Sequence, residues 1–207
     1  VSVENTTASS VDRDSVLEDE RLAPVRTEER IWERITNPRT SPMSYPDQIA
    51  PETPRVQQTL RLPVSKLESL REWAVDGTGV TAAARVRDAT GRVALVKNQW
   101  TDGWFLPGGG VEPNETPVEA ARREVRGETG LDATIGAPLV VLDQTYRSEN
   151  DENERFSAAY VVYSASATGS IPDPSRLGTT EDEITAARWF ETIPENLHDG
   201  DLLRPYL

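Results

Sequence analysis

The sequence predicts an α+β domain, a mixed β-sheet flanked by helices, and three observations carry that prediction. Apolar segments with the side-chain period of strands fall into two groups, residues 80–98 and 137–190. Between them lies one helical segment, 116–130, bounded by strong start and stop residues. Strands, a helix, more strands and a late helix do not make the regular alternation of a doubly wound sheet, so a mixed sheet with helices on its faces is expected.

Residues 1–58 differ from the rest. They are rich in Ser, Thr, Pro, Asp and Glu, with two short candidate helices at 12–23 and 27–36 and a proline-punctuated stretch from Pro38 to Pro54. This N-terminal extension has little with which to form its own core. Ile31, Trp32 and Ile35 are its candidates for docking on the main domain or on a partner subunit, which makes it a candidate cap or homodimer element. The main domain is then 59–207. It opens on a lead-in helix, where Ser65 and Glu68 have capping-box spacing and Leu67, Leu70, Trp73 and Ala74 recur with helical period until Asp76 and Gly77.

The strands follow. Val80–Arg87 and Arg92–Asn98 flank Asp88, Ala89, Thr90 and Gly91, a hairpin turn. Segments 137–146 and 155–164 are two further strands joined by the polar loop SENDENE. A Pro/Gly/Asp/Ser connector covers 168–182, Ile184–Phe190 is the last strand, and a short helix is expected in the tail from Glu195.

Thr116, Pro117 and Glu119 start the central helix as cap, first helical residue and capping-box partner, and Gly130 followed by Leu131 ends it. Val118, Ala121 and Val125 form an apolar stripe that should bury against the sheet. Glu124 and Glu128 stand one turn apart, where like charges repel by a few tenths of a kcal/mol. A divalent cation reverses the sign of that pairing, because Mg2+ takes carboxylates, waters and substrate phosphates as ligands. Before the helix, Gly108, Gly109 and Gly110 allow a tight turn and close approach to a ligand. Neither the dinucleotide fingerprint nor the phosphate loop of nucleotide triphosphatases is met.

Charge and composition narrow the chemistry. Thirty-five acidic against 22 basic residues give a net charge of -13, which argues against nucleic-acid backbone or an anionic membrane face as partner. Twenty of the basic residues are arginines, with Lys66 and Lys97 the only lysines. That balance resembles proteins of salt-loving archaea, where concentrated salt screens the repulsion. No cysteine is present and His198 is the single histidine, expected in a polar surface loop. Any general base or metal ligand must therefore come mainly from Asp and Glu. No stretch approaches 18 apolar residues and the first residues lack secretory features, so a soluble cytoplasmic protein is expected.

The spacing Gly109, Glu115, Arg123-Glu124-Val125, Gly127-Glu128, Gly130-Leu131 resembles the signature box of the Nudix hydrolase family. Trp104-Phe105-Leu106-Pro107 before it and the late strand ending in Trp189 and Phe190 agree with the resemblance, which extends over about residues 77–207. It implies the α/β/α sandwich of the Nudix fold and hydrolysis of a nucleoside diphosphate linked to a group X, with water attacking a bridging phosphorus. It also implies that Glu124 and Glu128 bind Mg2+ or Mn2+, with Glu124 a candidate activator of the water. Glu115 and Arg123 would orient the box, and the Gly109 carbonyl would join the metal shell.

One position departs from the family. Two adjacent glutamates usually stand near the end of the box, and here the first is Gly127. Glu154 or Glu183, each in an acidic run with Glu152 or Glu181, is the candidate supplementary ligand. The alternative is a degenerate domain that binds a nucleotide as a sensor or regulatory module. Trp104 and Tyr146, with Trp100 and Phe156, are candidate base-stacking residues. Arg85 and Arg155 are candidate phosphate contacts, with Arg87 and Arg147 open to the same reading.

Overall fold

The computed structural model describes residues 52–99, 102–150, 155–178 and 183–207. The helices expected over 12–23 and 27–36, and the candidates Trp100, Glu152, Glu154 and Glu181, lie outside the described residues.

Seven strands form one mixed sheet. They are β1 (Arg55–Leu62), β2 (Val80–Arg87), β3 (Val93–Asn98), β4 (Gly108–Gly110), β5 (Thr134–Ser148), β6 (Arg155–Ser166) and β7 (Ile184–Phe190). Their order across the sheet is β1-β5-β6-β2-β3-β7, with β4 paired to β2. β1 runs parallel to β5 and β2 parallel to β6, whereas β5 and β6 form an antiparallel hairpin. The helices are α1 (Val64–Arg71), continued by a π-helical turn Glu72–Asp76, then α2 (Pro117–Thr129) and the four-residue α3 (Gly200–Leu203).

The alternation of side chains gives the sheet two buried faces. On one, Val80, Ala82, Val141 and Val161 pack with Ala120 and Ala121 of α2, and Ala84, Val86 and Ala94 pack with Val125 and Leu131. On the other, Ala83, Leu95, Leu142 and Val162 pack with Trp104, Leu106, Leu197 and Leu203. The C-terminal segment is tied down there by the His198 amide, which donates to Trp104 O at 2.7 Å, and by the Trp104 amide, which donates to Asn196 O at 2.9 Å. This is the sandwich the sequence predicts.

Several expectations need correction. Ser65 and Glu68 form no capping box. The helix already begins at Val64 after Pro63 and has no side-chain cap, and Ser65 uses its carbonyl to accept from the Ser69 hydroxyl. Strand β1 straddles the boundary drawn at 58/59, and its Val56 and Leu60 positions alternate inward while Gln57, Thr59 and Arg61 are exposed. β5 is longer than 137–146 by five residues and β6 longer than 155–164 by two. The tail helix begins at Gly200 rather than near Glu195.

Candidate active site

Local chemistry fixes α2 before any ligand is considered. The Thr116 hydroxyl accepts from the Glu119 amide, and Glu119 accepts from the Thr116 amide at 2.8 Å, which satisfies two of the helix's starting donors reciprocally. At the other end Gly130 is left-handed, with φ 69°, and its amide returns to Arg126 O. Ala121 and Val125 of the expected stripe are fully buried and Val118 is half-buried.

Beside this helix, β4 pairs with β2 through Gly110–Thr81, Gly109–Ala82 and Gly108–Ala83, which lays the glycine strand along the acidic edge. A Cβ at Gly109 would overlap the Glu124 carboxylate, so a larger residue there would push that side chain from the place Arg123 holds it. The Gly108 amide donates to Glu128 Oε2 at 2.8 Å. Arg123 clamps the assembly: Nε and Nη2 meet the two oxygens of Glu115 at 2.9 and 2.8 Å, Nη1 meets Glu124 at 2.6 Å, and Nη2 also reaches Gly110 O at 2.9 Å. Such two-pronged charge-assisted bonds set geometry as well as energy.

The two helix carboxylates are unlike ordinary surface acids. Glu128 is 8% exposed, and burial pushes its carboxyl up to about 8. The Gly108 amide opposes that rise and the charges of Glu124 and Glu183 add to it. Burial also raises Glu124, against the pull of Arg123, and again Glu183 contributes repulsion. Glu115 moves the other way, held low by its bonds to Arg123. Among the described residues no three acidic or histidine side chains close into a complete ion cage. Glu183, half-buried just before β7, is the third acid whose charge both helix glutamates feel.

A pH dependence follows from Glu128. Its folded value lies above the ordinary 4.5, so the fold favours the protonated form. That contribution is complete below 4.5 and is lost as pH rises through about 8. Thermal unfolding in chelator should therefore show a midpoint that falls between these values, and Glu128→Gln should flatten the fall. If Glu128 helps hold an ion, excess Mg2+ should restore stability at the alkaline end, because ligation requires the deprotonated form. A midpoint that rises with pH in chelator would contradict the assignment.

Position 127 lies on an exposed part of α2, and a Cβ built there meets nothing within 4 Å. Nothing in its described surroundings requires glycine. Its carbonyl accepts from the Gly178 amide at 2.9 Å, a tie from the connector to the end of the helix.

The four candidate substrate contacts do not converge. Trp104 is 9% exposed and meets Phe190 edge-on, with centroids 4.6 Å apart, in the core under the C-terminal segment. Arg85 Nη1 donates to Tyr206 O at 2.6 Å. Tyr146 stacks on Phe156 at 5.2 Å and donates to Gln144, its hydroxyl pushed up to about 12 by burial and by Asp199. Arg85 is level with Ser164 and Tyr146 with Phe156, roughly 26 Å apart along β6 at the rise of a strand. Arg155 pairs with Arg147 at the start of β6. Sequence reasoning missed the Gly108 amide and the Gly110 carbonyl as partners of the acidic helix. The glycine triplet signalled close approach but not which groups would meet.

Comparison with known proteins finds relatives over part of the chain. The RNA pyrophosphohydrolase of Halorhodospira halophila, a bacterium, is 42% identical over 72 residues, 35% of this chain and 38% of that protein. A human diphosphoinositol polyphosphate phosphohydrolase 3-beta is 38% identical over 71 residues, 34% of this chain and 40% of that protein. The aligned part thus spans about two fifths of these relatives' length. The MutT NUDIX hydrolase structure from Burkholderia pseudomallei is similar at 25% identity and TM-score 0.44, covering 62% of this chain and 96% of that one. The NUDIX domain model matches residues 77–196, more than half of the chain and all of the clamp around Arg123, and the chain belongs to the NUDIX family.

Proposed function

We propose that this protein is a divalent-metal-dependent hydrolase of the phosphoanhydride bond in a nucleoside diphosphate linked to a second group X. Water would attack a bridging phosphorus. The observation that carries this reading is the pair of helix acids, Glu128 buried and Glu124 half-buried, both pushed toward protonation, with the glycine-strand backbone laid directly against them. Buried like charges are costly unless a cation joins them, and hard oxygen donors suit Mg2+ or Mn2+.

In this reading Glu124 and Glu128 hold the ion, with the Gly109 carbonyl as a further oxygen. Glu183 supplies the carboxylate that Gly127 lacks. Glu154 is the other candidate. The ion, when bound, neutralises diphosphate charge and furnishes hydroxide near neutral pH. Glu124 accepts the proton of the attacking water, while Arg123 and Glu115 hold it in place. Arg85, Trp104, Tyr146 and Arg155 were the candidate substrate contacts, and their separation favours at most a subset of them touching one ligand.

The substrate is a small anion rather than nucleic acid or a membrane, in keeping with the net charge of -13. No helix of the described residues is long and apolar enough to cross a membrane. The acidic, lysine-poor composition supports work in the concentrated salt of a halophile's cytoplasm. The names of the relatives, a pyrophosphohydrolase and a phosphohydrolase, support the reaction class. Gly127 favours a second reading, a sensor that binds nucleotide without cleaving it.

The test is product formation from a panel of nucleoside diphosphate derivatives in molar KCl, with Mg2+ and then Mn2+. Metal-dependent release of a nucleoside monophosphate and phosphorylated X is expected, and Glu124→Gln should lower it about 100-fold or more. Saturable nucleotide binding with no product in either metal would favour the sensor.

A further inference from the structure

Away from α2, strands β1, β5 and β6 bring three arginines into line. Arg61 is the registered partner of Arg147, and Arg147 of Arg155. The three side chains therefore leave the same face of the sheet on neighbouring strands, about 5 Å apart. Like charges directly opposite one another destabilise a sheet, and this chain has only 22 basic residues to distribute against 35 acidic ones. Arg61 and Arg155 are exposed. Arg147 is half-buried, and its Nε is a buried donor with no hydrogen-bond partner. No ion pair joins any of the three to a described carboxylate.

The neighbouring row on that face is made of hydroxyls. Thr59, Thr145 and Ser157 are likewise registered partners, two residues along the same strands. Thr145 and Ser157 also line a cavity of about 430 Å³ whose wall includes Thr78. Guanidinium forks beside hydroxyls are a donor set for phosphate oxygens. The row is about 10 Å across, which suits several linked phosphates better than one isolated carboxylate. Gly110 is level with Thr81 and hence with Tyr160, five residues along β6 from Arg155. Strand geometry puts the row about 20 Å from the glycine strand.

We propose that the Arg61–Arg147–Arg155 row, with its adjoining hydroxyls, is a binding site for a multiply phosphorylated small anion, separate from the acidic helix. It contributes positive charge where the catalytic edge is negative, so oligophosphate binds there without a bridging metal.

The test is calorimetric titration of the full chain with inorganic tripolyphosphate at moderate salt in excess EDTA. Saturable binding of one anion per chain is expected. Arg61→Gln and Arg155→Gln, both at exposed positions, should each weaken it about tenfold or more, whereas Arg87→Gln, outside the row, should leave it unchanged. Absence of saturable binding to the wild type would overturn the proposal, as would equal weakening by Arg87→Gln, which would mean diffuse charge rather than a site. The chelator removes metal-bridged binding at Glu124 and Glu128. Failure here is therefore distinguishable from failure of the hydrolase reading.

Discussion

Gly127→Glu is expected to raise affinity for Mn2+ by about tenfold or more, because ion affinity in oxygen sites follows the number of charged ligands. Turnover should rise with it under subsaturating metal. The position is open: a Cβ there meets nothing within 4 Å, and the tie to Gly178 uses the backbone carbonyl and survives substitution. Replacing an interior helical glycine also stabilises α2 by about 0.5 kcal/mol. In chelator the added charge repels Glu124 and Glu128, so the gain in melting temperature should be small without metal and large with it. Unchanged Mn2+ affinity in a folded Gly127→Glu protein would show that this position does not face the ion.

Arg123→Met should have the opposite effect. Arg123 holds both oxygens of Glu115, one oxygen of Glu124 and the carbonyl of Gly110. Removing it takes the guanidinium away from Glu115, 15% exposed, and Glu124, 19% exposed. Breaking a fully buried pair costs about 3–5 kcal/mol. The guanidinium is 38% exposed, so solvent screening lowers the expected loss to about 2 kcal/mol. Turnover should fall about 100-fold, since a misplaced Glu124 loses its alignment with the reacting phosphorus. Loss of the neighbouring cation raises Glu124 further, so the acidic limb of the pH–rate profile should move to higher pH. Lysine should not rescue, because an ammonium cannot span Glu115 and Glu124 with a planar fork. A variant with unaltered pH profile and turnover would remove Arg123 from the positioning role.

The parts of this fold that were legible in the sequence are those decided locally. Thr116, Pro117, Glu119 and Gly130 specify the ends of α2 through bonds spanning three or four residues, and all of them form. Ile184–Phe190 was legible as a strand-length segment beginning where the Pro/Gly/Asp/Ser connector ends. Strand β1 was not, because Gln58 occupies an inward-facing position and the strand's parallel partner lies more than 80 residues further along the chain. The Ser65 motif misled because its spacing is right but the preceding Pro63 already starts the helix.

At the site, the helical spacing of Glu124 and Glu128 announced a pair, and Arg123 adjoined it. Which groups Arg123 binds depends on the turn through Asn114, with φ 70°, that returns Glu115 to the helix. The burial of Glu128 likewise depends on β4 lying against α2, a long-range contact that no local pattern encodes. On sequence alone Trp104 suits core or rim better than a base clamp, and the structure puts it in the core. Its partners Phe190 and Leu197 arrive from the far end of the chain.

The most direct test of the central claim is a Mn2+ titration followed by electron paramagnetic resonance, comparing the wild type with Glu124→Gln and Glu128→Gln. Loss of the free-ion signal at a saturable site in the wild type, and its return in both variants with the fold intact, is the predicted result. A wild type that takes up no Mn2+, or variants that bind it as tightly, would contradict the assignment of these two helix glutamates as the metal ligands.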